Sequence, residues 1–313
     1  MTLQQLLAQY AQRPAHSVPD WMLGFWKRYS ISFANGLTDL HTHVCWLQSR
    51  NFTIDLRLPL AAQQVAAKPL SRYSAEELQV LANYEGWLAL SDWDGSVLSW
   101  RDTETSLQLH NRWPEPAILK RTGNAMIEHC ASNAYVEDWR LQPSAVGPLV
   151  GLHMIEEREV SSGKLRHRGG GLIVCGDYAA LVLGRAETLE PGPAPLKTRV
   201  AEAVADLARL HTLFNFETSL AQGCLDTGYV INLSTRPARI GQPLFPLDGF
   251  EPLPERRLRQ QLDVDGTLVE RIFVIDTLEA RLDFAQTTPF AAAAADWFER
   301  ESPTLGRYLE VLR

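Results

Sequence analysis

Two histidines one residue apart, His41 and His43, are the first place to look for chemistry. Neutral imidazoles suit Zn, Fe or Ni. On an extended strand both rings project from one face, roughly 6–7 Å apart, and Asp39 and Cys45 continue that row. A second constellation is Asp55 with Arg57, which share a strand face. Burial of such a pair is costly unless it is well hydrogen-bonded, so a buried Arg57 would mark a ligand-orienting role and a half-exposed one a plain ion pair. Glu217 shares a face with Asn215 and Ser219. If that face lines a barrel, Glu217 is a general-acid candidate; otherwise it is a solvated residue. Trp87, Trp100 and Trp139, with Trp93 and Trp113, either fill a small core or wall an apolar pocket. The candidate ligand contacts are therefore Arg57, Trp87, Trp100, Trp139 and Glu217, and the candidate metal ligands are His41 and His43. No catalytic residue stands out, and the sequence leaves open whether the chain is an enzyme.

The rest of the chain excludes several classes. The string "RHRGGGLIVCGD" is glycine-rich but lacks the Gly-Lys-Ser/Thr ending of a phosphate loop and the GxGxxG spacing before a helix. No GxSxG nucleophile elbow occurs. The formal net charge is -7, and the main cationic cluster, Lys164 to Arg168, reads as a charged turn between strands, so nucleic acid is not an expected partner. No segment reaches the roughly 18 apolar residues of a membrane helix, so no membrane partner is expected either. Residues 1–11 lack the basic start and apolar run of a signal peptide. Cys45, Cys130, Cys175 and Cys224 are widely spaced, with no CxxC pair, and read as buried free thiols of a cytoplasmic protein. Composition names no cofactor and no oligomeric state.

The elements that must position these residues are mostly strands. Thr38 to Trp46 alternates, as does Phe52 to Leu58, with Phe52, Ile54, Leu56 and Leu58 on one face and Thr53, Asp55 and Arg57 on the other. Trp87–Ser91 and Val97–Arg101 form a hairpin around Asp94-Gly95. Short strands follow at Ala117–Arg121, Ala125–Cys130 and Ala134–Leu141, a turn about every ten residues, which is the rhythm of a barrel or sandwich. Ser74 with Glu77 is a capping box that opens a short helix. Pro143, Gly147 and Pro148 mark a boundary; eight of the nine tryptophans precede it. Beyond it come strands from Leu149, a proline-rich connection over Leu189–Pro195, a helix over Leu196–Leu210, hairpins over Leu213–Leu233 and Arg257–Ile275, and a terminal helix from Ala291 that Pro303 interrupts.

The expectation is a mainly β chain of two consecutive antiparallel barrels with a few short helices, residues 1–145 tryptophan-rich and 146–313 carrying inserted and C-terminal helices. The segments "WLQSRNFTIDLRLP", "YEGWLALSDWDGSVLSWRDT", "YVEDWRL" and "NFETSLAQG" through "YVINLST" resemble an uncharacterised bacterial group with lipocalin-like, calycin-like β-barrels. The resemblance spans Trp26 to Ile275. It implies a pair of barrels and a small apolar ligand, and carries no catalytic residue. The string "TDLHTHV" resembles the opening of metal-dependent hydrolases of the amidohydrolase and phosphoesterase classes, but those need further ligands on a parallel α/β barrel. The first functional reading is a barrel that binds a small, largely apolar molecule. The alternatives are a metal-dependent hydrolase using His41 and His43, and a structural or interaction protein without a small ligand.

Overall fold

The computed structural model describes residues 1–114, 116–190, 192 and 194–313, with residues 102–104 placed by their strand alone. Pro191 and Pro193 of the expected proline-rich connection, and the side chains of Asp102 and Thr103 in one resemblance segment, lie outside the described residues.

The first sheet is built from β1 (Gly24–Phe33), β2 (Thr38–Asp39), β3 (His43–Gln48), β4 (Phe52–Leu58), β5 (Glu85–Trp93), β6 (Val97–Ser106), β7 (Ala117–Thr122), β8 (Ala125–Cys130) and β9 (Tyr135–Leu141). β2 pairs with β1, successive strands from β3 to β9 pair antiparallel, and β1 pairs with both β3 and β9. The return pairing runs from Trp26 opposite Leu141 to Phe33 opposite Tyr135, with one bulge between Arg28 and Ser30. It closes β1 and β3–β9 into an eight-stranded barrel with no free edge. Between β4 and β5 lies α1 of this half, Ala75–Leu81, whose N-cap Ser74 and Glu77 exchange both bonds of the capping box.

The second sheet is antiparallel and open. It comprises β10 (Gly147–Glu159), β11 (Leu165–Cys175), β12 (Tyr178–Arg185), β13 (Glu217–Cys224), β14 (Gly228–Ser234), β15 (Phe250–Leu253), β16 (Arg257–Val264) and β17 (Thr267–Leu282), in the order β14-β13-β12-β11-β10-β17-β16-β15. The expected second barrel is thus corrected to an open sheet, because β14 and β15 do not pair. The segment between them carries Pro237, Pro243 and Pro246, which cannot donate to a ladder. Instead it runs along the β14 edge, where the Ile231 amide donates to the Gln242 carbonyl and the Leu244 amide to the Tyr229 carbonyl, both at 2.9 Å. The chain start covers the other side: the Leu3 amide donates to the Leu247 carbonyl at 2.7 Å and the Phe250 amide to the Met1 carbonyl at 3.1 Å. The helix Leu3–Gln9 then buries Leu3, Leu6 and Leu7 in a core with Tyr229, Phe250, Leu258 and Phe273. Both edges are satisfied without strand closure.

The other face of the open sheet packs on the barrel wall. Leu149, Ile173, Cys175, Ala180 and Val182 share a core with Leu47, Phe52, Ile54 and Leu88. Two glycines allow the approach: a Cβ at Gly171 would lie 2.8 Å from Leu88, and one at Gly86 would lie 2.5 Å from the Thr218 hydroxyl. The apolar face of β4 therefore points out of the barrel and its polar face points in. Three other expectations change. Thr38–Trp46 is not one strand, and Leu196–Leu210 is not one helix: helices Leu196–Glu202 and Leu207–Leu213 are separated, the second opened by an Asp206 cap. Pro303 lies within the terminal helix Ala292–Leu305 rather than ending it.

Among the described residues no disulfide forms. Burial raises the Cys45 thiol to about 12 and pushes Cys175 upward too, whereas Cys224 is half-exposed and its thiol is lowered by hydrogen bonds from the Thr227 side chain and nearby backbone. Thiolate reactivity follows access and acidity. A thiol reagent should label Cys224 rapidly in the folded protein and the remaining cysteines only on unfolding, as peptide mapping would show; fast labelling of Cys45 would contradict this packing.

Candidate functional site

The barrel lumen holds a cavity of about 580 Å³. Strand alternation assigns its walls. β4 contributes Thr53, Asp55 and Arg57; β3 and β5 contribute Trp46, Glu85 and Trp87; β6 contributes Trp100; β8 and β9 contribute Glu128, Tyr135, Glu137 and Trp139. The mouth is made partly by the Gln108–Trp113 loop and partly by the second sheet, through Arg168, Gly169 and Arg185. Arg185 fixes this mouth by donating to the carbonyls of Ser106 at 2.9 Å, Leu107 at 2.7 Å and Leu213 at 2.9 Å.

Four of these tryptophans are held by their N–H groups, which leaves ring faces as wall. Trp46 donates to Gln48 Oε1 at 2.9 Å, Trp100 to Thr53 Oγ1 at 3.2 Å, Trp139 to Glu128 Oε2 at 3.0 Å and Trp113 to Glu85 Oε2 at 3.1 Å. Trp46 meets Trp100 and Trp139 edge-on, with ring centres 5.8 and 5.4 Å apart, and Trp87 meets Trp100 at 6.1 Å.

Among the described residues the charged groups pair around three arginines. Arg57 donates from Nε to Asp55 Oδ1 at 2.9 Å, while its guanidinium lies 4.5 Å from the centre of the Trp113 ring. Arg28 donates to Glu137 Oε1 at 2.7 Å and to Asp39 Oδ2 at 2.9 Å. Arg112 donates to Glu85 Oε1 at 2.9 Å. Burial raises the Asp55 carboxyl to about 6 against the opposing pull of Arg57. Burial opposes the charge on Arg57 in turn, but Asp55, Glu137 and Glu85 more than restore it. Glu128 stands directly opposite Glu137 in the β8–β9 register. Burial first, and then the Glu137 charge, push its carboxyl well above the usual range. One donor is left over: Arg57 Nη1 is buried with no hydrogen-bond partner among the described residues.

No family model, curated protein or solved structure matches the chain. The site must therefore be read from its own geometry. The closed eight-stranded antiparallel barrel agrees with a calycin-like fold and with the binding of a small molecule in its lumen.

Of the residues singled out in the sequence, Arg57, Trp87, Trp100 and Trp139 are brought to one cavity. Glu217 lies apart from that wall, buried on β13, where Ser219 Oγ donates to it at 2.7 Å and Arg239 Nε at 2.9 Å, with Arg236 3.5 Å away. Burial works against its charge, but Arg239 and Arg236 hold the carboxyl below its ordinary value. His41 is in the loop after β2, exposed, and His43 begins β3. Asp39 Oδ1 accepts the amides of His41 at 2.8 Å and Thr42 at 3.1 Å, so it makes the turn that interrupts the expected strand. His43 is pushed toward the neutral form by burial and by Lys27, a cation that also disfavours a metal. Among the described residues no group of three or more His, Cys, Asp or Glu is placed to hold a metal ion. Among them, too, no helix is long and apolar enough to cross a membrane.

Glu128, Glu137 and Glu85 were not singled out as site residues from the sequence. Glu137 had a usable signal, since it shares the period-2 face of Trp139. Glu128 sits between Met126 and Cys130 on a face that is otherwise apolar, and gave none.

Proposed function

We propose that the chain is a small-molecule-binding barrel whose ligand has a flat apolar ring and a hydrogen-bond-accepting group. The observation that carries this reading is the orphan Nη1 of Arg57 in the wall of a tryptophan-lined cavity. A buried donor without an acceptor costs about 1–3 kcal/mol, more when it is charged. A ligand carbonyl, carboxylate or similar oxygen would remove that cost. The ring faces of Trp87 and Trp100 supply the apolar surface, and the size of the cavity is within the range of small-molecule sites. The ion pairs in the wall argue against a wholly apolar occupant, because polar walls reward a ligand that can hydrogen-bond. The calycin-like assignment belongs to this reading, as does a site inside the cell.

Native mass spectrometry of gently purified protein, compared with the denatured mass, tests the reading. The expected result is an organic mass excess. Arg57→Lys keeps a cation beside Asp55 but removes the forked donor. It should weaken retention of that molecule roughly tenfold to a hundredfold, the equivalent of one charged hydrogen bond. A chain that stays bare after incubation with a small-molecule extract of cells sinks the proposal.

A further inference from the structure

Among the described residues of the barrel wall, one carboxyl has no cation in contact. Asp55, Glu85 and Glu137 each have an arginine, whereas Glu128 makes no ion pair among the described residues. Its partners are the Trp139 N–H and, across the β8–β9 pair, the Glu137 carboxylate. Two carboxyls side by side in a buried wall cannot both be charged cheaply, so the proton stays on Glu128 in the empty pocket. The charged and titratable groups that share the cavity with it are Glu137 and Tyr135 on β9, Asp55 and Arg57 on β4, Glu85 on β5, and His110, Arg112, Arg168, Arg185 and Glu187 around the mouth; Arg28 on β1 is held by Glu137. Arg57 acts on it only across the lumen, since its guanidinium is paired with Asp55.

Resting on the binding reading above, we infer that Glu128 is the anchor for a basic nitrogen: the pocket takes a flat ring carrying an amidine or amine, and Glu128 gives its proton to solvent as that cation docks. The incoming positive charge supplies the partner that Glu128 lacks, and the Trp faces add cation–π attraction. The unpartnered Arg57 Nη1 in the same wall is the independent sign that a ligand completes this site, and it assigns the accepting end of the molecule to β4. Proton balance is simple. A ligand that arrives protonated stays so, the Glu128 carboxylic acid becomes a carboxylate, and one proton goes to the buffer.

The test is isothermal titration calorimetry of the full chain at pH 7 with benzamidine and with its neutral isostere benzamide, each in phosphate and in Tris. Benzamidine should bind at least tenfold more tightly. The buffer dependence of its heat should report release of about one proton, and its affinity should rise with pH until Glu128 ionises unaided. Glu128→Gln should bring benzamidine to the benzamide level and abolish its proton release; the proton count on the unaltered chain needs no variant to fold. Benzamide binding as tightly as benzamidine, or benzamidine binding without proton release, overturns the role of Glu128 and leaves the barrel a binding site. If neither probe binds, the molecule retained in native mass spectrometry decides. A basic ring compound supports the inference, a neutral or acidic one overturns it alone, and a bare chain overturns both readings.

Discussion

Arg28→Met should lower the unfolding free energy by about 3–5 kcal/mol, the usual cost of breaking a buried ion pair from one side. The Arg28 side chain is 4% exposed and that of Glu137 2% exposed, so neither finds water when its partner is lost. Removal of the guanidinium leaves Glu137 facing Glu128 across the sheet, with one hydrogen bond between them and no cation in contact. Asp39 loses its arginine as well, although it is part-exposed and keeps the amides of His41 and Thr42. The double variant Arg28→Met, Glu137→Gln should recover much of the loss, because two neutral groups replace an abandoned charge. Urea unfolding followed by tryptophan fluorescence measures both. A single variant within about 1 kcal/mol of the parent, or a double variant no better than the single, would show that the pair does not hold β1 to β9.

The period-2 patterns are why much of the barrel was legible in the sequence. Phe52, Ile54, Leu56 and Leu58 against Thr53, Asp55 and Arg57 is the observed division of β4. The pattern could not say which face was inside, because that depends on a second sheet covering the outer face with Leu149, Ile173 and Val182. Nor could it show that one sheet closes and the other does not. Closure of the first depends on β1 meeting β9, more than a hundred residues away in sequence, as the contact between Arg28 and Glu137 illustrates. The openness of the second depends on where a proline-bearing segment and the chain start lie against the edges of β14 and β15. Local polar geometry hid the break at Leu40–Thr42, where the Asp39 carboxylate captures two amides that alternation alone would place in a ladder.

The candidate site was legible where composition was unusual and hidden where it was ordinary. Tryptophans are rare, and their concentration before residue 142 pointed to an aromatic lumen or core. Trp87, Trp100 and Trp139 line the cavity, but they do so beside carboxyls whose importance comes from cross-strand register. Glu128 and Glu137 lie in different strands joined by a turn, and burial together with their direct opposition raises the Glu128 carboxyl. His41 and His43 looked more specific as a motif. Their sequence spacing matters chemically only if the backbone between them is extended, and the turn at Asp39 prevents that.

The second large effect concerns the seam between barrel and sheet. Phe52 is fully buried; its ring centre is 4.3 Å from that of His153 on β10, and its edge is close to the position a Cβ would take on Gly151. No side chain on Gly151 or Gly171 can move into the space the ring leaves, and the flanking strands are fixed by their ladders. Phe52→Ala should therefore cost about 3–5 kcal/mol, with the residual cavity rather than transfer alone setting the upper end. Phe52→Leu, which refills part of that volume, should cost clearly less. The seam should also make the two sheets unfold together. In the parent chain, tryptophan fluorescence, which reports mainly on the barrel half, and far-UV circular dichroism, which reports on both sheets, should give coincident denaturation curves. In Phe52→Ala they should separate, with one unit losing structure before the other. Coincident curves with a loss below about 1 kcal/mol would mean that polar contacts across the seam couple the units instead, such as Asn51 to Asp276 at 2.8 Å and Arg185 to the carbonyls of Ser106 and Leu107.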